Sequence, residues 1–400
     1  MPADRDPAAP DGAARAYDIV LFGATGFTGE LTAAYLAEHA PSGCRWALAG
    51  RNATKLEAVR ERLARTHPDC ADLPLLHADS GDAASLKAVA EATKVVITTV
   101  GPYLLYGEPL VAACAEAGTD YVDLTGEPEF VDRMYLSHHA RAVETGARLV
   151  HACGFDSIPH DLGAYFTVKQ LPEGQPVKLR GVVRSNATFS GGTFHSAMTA
   201  FSRARQMKDA MTERRKAEPR PQGRRSRAVA GKPGRDHVLG YWLLPLPTID
   251  PFVVARSGAA LAAYGPDFRY SHFAGMKTLR YTVGGVLGAA SMGLAAQVPP
   301  VRRALMNRIK PGEGPSESRR AKSHFTVDFV GEAGGRAVHT RVSGGDPGYT
   351  ETAKMLAESA LCLAFDDNPP TAGQVTTAQA MGEHLLARLQ DAGIRFETVA

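Results

Sequence analysis

A doubly wound, parallel α/β sheet followed by a second, mixed α+β domain is the fold class predicted for this 400-residue chain. Three observations carry that prediction. Between Tyr17 and about His151, six short apolar runs alternate with five amphipathic stretches, the rhythm of parallel strands joined by crossover helices. Beyond Phe166 the rhythm stops, and strand-like alternation of polar and apolar positions replaces it. The chain is also long for a single hydrophobic core, so a second domain is expected.

The first run, YDIVLF (17–22), is apolar on successive residues, as a strand covered on both faces must be. RWALAG (45–50), LPLLHA (73–78), KVVITTV (94–100), DYVDL (120–124) and ARLVHA (147–152) repeat it. Helices are predicted between them over 28–39, 54–65, 82–91, 107–117 and 129–145. Right-handed crossovers place those helices on both faces and leave ligands to the C-terminal strand ends. Farther on, 177–190 reads as strands and 190–207 as a turn opening a helix. The alternation around GEAGGR in 320–345 reads as a hairpin or meander of a second sheet. In GYTETAKMLAESALCLA, Met355, Leu356, Ala360 and Leu363 share one helix face.

With 44% hydrophobic and 22% charged residues the composition is that of an ordinary water-soluble protein, and a net charge of +3 singles out no partner. Five cysteines without a CxxC pair exclude a disulfide framework and a zinc knuckle, which fits a reduced, cytoplasmic protein. Residues 1–16 are polar and rich in Pro and Ala without an apolar stretch, so they read as a disordered lead.

The chemistry begins where the first strand ends. In GATGFTG, Gly23 closes the strand, Gly26 lets the backbone approach a diphosphate, and Gly29 lets the next helix pack on the sheet. Thr25, Phe27 and Thr28 complete the bend, whose N–H groups face the anion at the helix N-terminus. After the second strand, Gly50 and Arg51 stand where an NAD site carries an acid, with Asn52 beside them. A guanidinium there suits a 2′-phosphate, so the coenzyme expected is NADP(H). Asp79, after the third strand, either reaches the adenine amino group or caps the following helix. Gly101 and Pro102, after the fourth, pass the backbone near the nicotinamide end, and Tyr103 and Tyr106 then face the substrate or pack at the rim.

HACGFDSIPHDLGAYF (151–166) crosses the same edge into a helix, making Cys153, Asp156, His160 and Asp161 candidates. Their spacing matches no metal-ligand pattern, so no metal is expected. Asp156 and Ser157 also suit a helix cap, and Cys153 suits packing.

Taken together, GATGFTGELTAAYLA, AGRNATKL, VGPYLLYGEPLVAACAEAGTDYVDLTGE and HACGFDSIPHDLGA resemble the saccharopine dehydrogenase-like oxidoreductases, and among them the trans-acting enoyl reductases of polyketide-type lipid assembly. The likeness covers 17 to about 165 and returns at 344–364. It implies a Rossmann domain over 17–155, a mixed α+β substrate and dimerisation domain over 156–345, and C-terminal helices over 346–400 that return to the Rossmann domain. It further implies reduction of an unsaturated acyl thioester, with Tyr103, His160 and His195 as candidates for proton donor and enolate stabiliser and Tyr103 and His160 preferred. Two alternatives stand beside that reading: an amine oxidoreductase acting on amino-acid conjugates, and a non-catalytic NADP-binding scaffold at a lipid surface.

Two further segments bear on partners. From Ser202 to Arg235, twelve Lys or Arg face three Asp or Glu, and the segment reads as a mobile basic loop that attracts an acidic carrier protein, a coenzyme phosphate or an anionic membrane. No aromatic residue is interleaved there, so nucleic acid is not expected. Residues 281–298 carry no charge and are flanked by Lys277, Arg280, Arg302 and Arg303. Their Gly and Ala content suits a buried or surface-docking helix with peripheral membrane contact more than a span.

Overall fold

The computed structural model describes residues 15–187, 191–308 and 314–399. The N-terminal half of the fold opens with β1 (Tyr17–Phe22), α1 (Phe27–His39), β2 (Trp46–Gly50), α2 (Ala53–Thr66), β3 (Leu75–His77), α3 (Ala83–Ala92) and β4 (Thr93–Thr98). It continues through α4 (Tyr103–Tyr106), α5 (Glu108–Ala117), β5 (Asp120–Asp123), α6 (Pro128–Thr145), β6 (Arg148–Val150) and α7 (Ile158–Val168). The six strands and five longer helices between them fall within two residues of the spans predicted from sequence. Ile19, Val20 and Leu21 are all fully buried, because helices cover both faces of the sheet.

The second sheet is built from β7 (Val177–Ser185), α8 (Gly191–Ser202), α9 (Ala204–Ala217), β8 (Arg225–Ala228), β9 (Gly234–Arg235), β10 (Trp242–Pro245), α10 (Asp250–Ala260) and β11 (Asp267–Met276). Next come α11 (Leu279–Gln297), α12 (Pro299–Arg308), α13 (Glu317–Arg320), β12 (Phe325–Ala333) and β13 (Arg336–Gly344). The tail adds α14 (Thr350–Phe365), β14 (Gly373–Val375), α15 (Thr377–Ala380), α16 (Gly382–Asp391) and β15 (Arg395–Val399).

The first sheet is entirely parallel, in the order β14-β6-β5-β4-β1-β2-β3. The second runs β15-β13-β12-β7-β11-β10-β9, with β8 also paired to β11. It is mixed: β7 and β8 lie parallel to β11, while β12, β13 and β15 form an antiparallel meander. One hydrophobic core runs through both sheets, because α7 and α14 lie between them. Gly163 marks how closely α7 approaches the second sheet, since a Cβ there would stand 2.4 Å from the Phe329 ring.

Two expectations need correction. The tail contributes strands as well as helices: Gln374 and Val375 pair with Leu149 and Val150 to extend the first sheet, and β15 pairs with β13. Three residues are too few to show alternation, so β14 exists only by its pairing. Nor is the basic stretch 202–235 a loop throughout. Helix α9 packs on α6, and its Arg214 is buried, donating to Gln374 Oε1 at 2.7 Å, pairing with Asp132 and Glu218, and stacking on Tyr135. Arg203 pairs with Glu129 of α6. The compensating acids lie some 70 to 80 residues earlier, where local composition cannot register them. Among the described residues no helix is long and apolar enough to cross a membrane.

Candidate coenzyme and active site

The C-terminal ends of the parallel strands share one edge, and the chain reverses its direction of strand addition between β1 and β4, the point where sheets of this kind leave a crevice for a ligand. The bend after β1 is tightly specified. Gly23 adopts φ +95°, and a Cβ on it would stand 2.7 Å from Thr99 Oγ1. A Cβ on Gly29 would stand 2.1 Å from the Gly23 carbonyl oxygen. Gly26 differs. Its φ of −86° is open to any residue, and a Cβ there would meet only Gly23 O, at 3.5 Å. Nothing in the folded chain requires glycine at 26, whereas an anion resting on the bend does. No side chain caps α1, so its first-turn N–H groups, those of Phe27, Thr28 and Gly29, face outward without a capping acceptor. Thr25 sits half-buried in the bend, and the Phe27 ring leans edge-on against Tyr349 at 4.8 Å. Thr99 holds the bend in place, donating from Oγ1 to Gly23 O at 3.1 Å.

At the end of β2, Arg51 is exposed and makes no hydrogen bond or ion pair among the described residues. Its neighbour Asn52 caps α2 by accepting from Lys55 N at 2.9 Å. Asp79 does not cap α3; Asp82 does, accepting from Ala84 N and Ser85 N, while Asp79 Oδ1 accepts from Gly81 N. The uncapped helix, the empty space at Gly26 and the unpaired Arg51 suit NADP(H), with the diphosphate on the bend and the 2′-phosphate at Arg51.

After β4, Gly101 is exposed and Pro102 half-buried beside the crevice. Tyr103 is buried and fully engaged: its hydroxyl donates to Thr98 O at 3.1 Å and accepts from Leu124 N at 3.2 Å, so it ties β4 to the end of β5. Burial pushes its phenol well above the ordinary range. Geometry thus directs Tyr103 to the scaffold rather than to a substrate. Tyr106 is exposed, and His195 lies in α8, which packs on α11. The carboxylate of Glu127 caps α4, accepting from Tyr103 N and Leu104 N.

Asp123, which sequence reasoning passed over, is a buried hub at the end of β5. It accepts from Tyr121 Oη, Thr125 N and Ala152 N, and lies 2.7 Å from His151 Nδ1. The second aspartate of DYVDL, at a strand end, was the available signal.

Beyond β6 the candidates of 151–166 separate. Cys153 is fully buried, with a thiol pushed well up by burial, and serves as packing. Asp161 accepts from Ser257 Oγ, Thr377 Oγ1 and Ala378 N, which ties α7 to α10 and α15. Neither Asp156 nor Ser157 caps α7 with its side chain. Instead, Asp156 Oδ2 lies beside Gly126 in the loop after β5, where a Cβ would stand 3.3 Å from it.

His160 enters a cluster with residues that sequence spacing did not associate with it. Its Nδ1 lies 3.1 Å from Asp250 Oδ1, and His272 Nε2 lies 3.6 Å from Asp250 Oδ2. The two imidazole rings stand edge to face with centroids 4.8 Å apart, and Tyr270 Oη lies 3.0 Å from His272 Nδ1. Burial alone would lower the basicity of His160, but the Asp250 carboxylate outweighs it and raises His160 above its ordinary value. Burial likewise opposes the charge on Asp250, and His160 and His272 overcome it, holding that carboxyl below its usual range. His272 is driven down to about 3 by burial and by His160. The result is an imidazolium–carboxylate pair beside a neutral imidazole. Asp156, partly exposed next to them, is raised to about 7 by burial and by the charge on Asp250. The edge therefore carries a carboxyl able to hold or release a proton at neutral pH, backed by a buried histidine.

Comparison with known proteins agrees with this geometry. Residues 19–150 match the saccharopine dehydrogenase NADP binding domain. A Mycobacterium tuberculosis protein provisionally named a trans-acting enoyl reductase is 41% identical over 416 residues, covering 96% of this chain and 98% of its own. Trans-acting enoyl reductases of Mycobacterium bovis and Mycobacterium ulcerans are 39% and 38% identical, each covering 96% of this chain and 97% of its own. In three dimensions the chain resembles saccharopine dehydrogenase (L-Glu forming) of Saccharomyces cerevisiae, with a TM-score of 0.55 at 11% identity, over 96% of this chain and all of that one. With a coenzyme edge suited to NADP(H) and relatives alike along nearly the whole length, the chain belongs to the saccharopine dehydrogenase-like family of NADP(H)-dependent oxidoreductases, within its trans-acting enoyl reductase branch.

Proposed function

We propose that this oxidoreductase saturates the α,β double bond of an unsaturated acyl thioester made in lipid assembly and presented by a separate, acidic carrier protein. The names of its relatives support the reaction class, and the cations exposed on α9 and β8 suit an acidic partner. Gly23, Gly26 and Gly29 with the first turn of α1, Arg51, and the backbone at Gly101 and Pro102 would hold the coenzyme, which supplies the hydride. The β-carbon takes that hydride, the developing enolate needs stabilisation, and the α-carbon needs a proton.

We assign that proton to Asp156, which lies beside Gly126 in the loop after β5 and whose carboxyl is pushed up to about 7 by burial and by the charge on Asp250. Asp156 delivers the proton, and His160 restores it. Asp250 keeps His160 charged, and the His272 ring packs edge to face against it. Tyr103 is then a positioning residue that fixes the loop after β4.

The test is NADPH consumption with a panel of enoyl thioesters, both coenzyme-bound and carrier-bound. Saturated acyl product, formed fastest from the carrier-bound substrate, is expected. Saccharopine-dependent reduction of NADP instead would establish the amine reading, and tight NADPH binding without turnover on any substrate would establish the scaffold.

A further inference from the structure

The coenzyme edge leaves one surface unexplained, the outer face of α11. The helix packs inward on α8 and β10. Outward it presents Tyr281, Leu287 and Leu294, and Leu294 is 72% exposed. Val298 and Val301 carry the same apolar surface past the end of α11 and into α12. Gly284 and Gly288 lie between them, and a Cβ on either would meet nothing within 4 Å, so among the described residues nothing covers this face at those positions. Lys277 and Arg280 stand at one end and Arg302, Arg303 and Arg308 at the other, while residues 268–312 contain no Asp or Glu at all.

An apolar stripe with cations at both ends and no acid is the pattern of a helix lying in a bilayer interface, with the apolar side chains among acyl chains and the cations at headgroup phosphates. A second copy of the chain fits poorly. A two-fold contact along this stripe brings Lys277 and Arg280 against either themselves or Arg302, Arg303 and Arg308, and no carboxylate in the segment offsets the repulsion. An acidic protein would satisfy the cations and leave the exposed leucines unaccounted for.

We propose that α11 and the start of α12 dock this protein on an anionic lipid surface. In sequence the docking segment leads to a stretch that touches the bend after β1. Six residues past Arg308, Gly314 lies against the Phe27 ring at the diphosphate bend, and Arg320 stands 5.3 Å from the same ring. The inference does not depend on the reaction proposed above, because lipid binding is read without turnover.

The experiment is flotation of the full-length protein with vesicles of phosphatidylcholine alone or mixed with phosphatidylglycerol, at low and high salt. We expect binding to the anionic vesicles only, weakened by salt. Leu287→Asp with Leu294→Asp should lower vesicle affinity about tenfold or more. Arg302→Glu and Arg303→Glu should each lower it about fivefold or more. NADPH binding in all of these surface variants should stay at the wild-type level, which verifies their folding. Failure to float with anionic vesicles overturns the proposal, as does flotation unchanged by the leucine variants. So does a dimer in light scattering that Leu294→Asp dissociates without any vesicle binding, or binding to an acidic protein alone.

Discussion

Replacing Gly26 by alanine separates what the fold needs from what the coenzyme needs. The residue sits at φ −86° and ψ 161°, an extended conformation that alanine adopts freely, and the new methyl would have its nearest neighbour, Gly23 O, at 3.5 Å. The apo protein should therefore lose no stability, and a restricted unfolded chain should add about 0.4–1 kcal/mol. The methyl would, however, fill the space over the first turn of α1 where the diphosphate meets N–H groups. Losing one hydrogen bond to a charged group costs about 1.5–3 kcal/mol, or roughly tenfold to a hundredfold in Kd. Gly29→Ala is the contrast, because its Cβ would lie 2.1 Å from the Gly23 carbonyl oxygen and the bend itself must shift. Calorimetric titration with NADPH and urea denaturation of the apo proteins read the two effects apart. Weak NADPH binding with full stability is expected for Gly26→Ala, and loss of both for Gly29→Ala. Wild-type NADPH affinity in Gly26→Ala would refute the placement of the diphosphate on this bend.

Three other outcomes follow from the same geometry. Arg51→Asp should weaken NADPH binding about tenfold to a hundredfold and leave NADH binding and stability unchanged, since Arg51 has no partner to lose among the described residues; equal losses for both coenzymes would remove its role at the 2′-phosphate. Asp156 has a folded pKa near 7, above its unfolded value, so the acid form and its stability contribution are complete below about pH 4 and are lost as pH rises through about 7. Turnover should fall across that upper range, and Asp156→Asn should abolish the limb while gaining relative stability above pH 7; an unchanged pH–rate profile in a turning-over Asn variant would clear Asp156 of proton delivery. Asp123→Ala should destabilise by about 3–5 kcal/mol, because it leaves the donors of Tyr121, Thr125, Ala152 and His151 without their buried acceptor; a loss below about 1 kcal/mol in urea denaturation would contradict its role as a hub.

What was legible in the sequence, and what was not, divides by the distance over which the information acts. Strands β1 and β2 show as nearly unbroken apolar runs because both faces are covered, and each run stops at a glycine. The bend after β1 is readable because its three glycines fall within seven residues and two of them, Gly23 and Gly29, answer local steric demands. His160 stood out as a histidine near the crevice, but its meaning depends on Asp250 and His272, about 90 and 110 residues later, which only α10 and β11 bring to it. The same distance effect misrepresented 202–235, where twelve cations read as a mobile loop although two of them, Arg203 and Arg214, pair with Glu129 and Asp132 of α6. Tyr103 looked available for catalysis because its position after β4 was visible and the two backbone groups that occupy its hydroxyl were not.

The reaction itself is tested most directly by following one hydrogen. A carrier-bound enoyl thioester incubated with the protein and NADPH deuterated at its transferable position should yield a saturated acyl chain with one deuterium on the β-carbon and a solvent proton on the α-carbon. An acyl chain recovered without label, or labelled at the carbonyl carbon, would contradict reduction of the double bond by this protein.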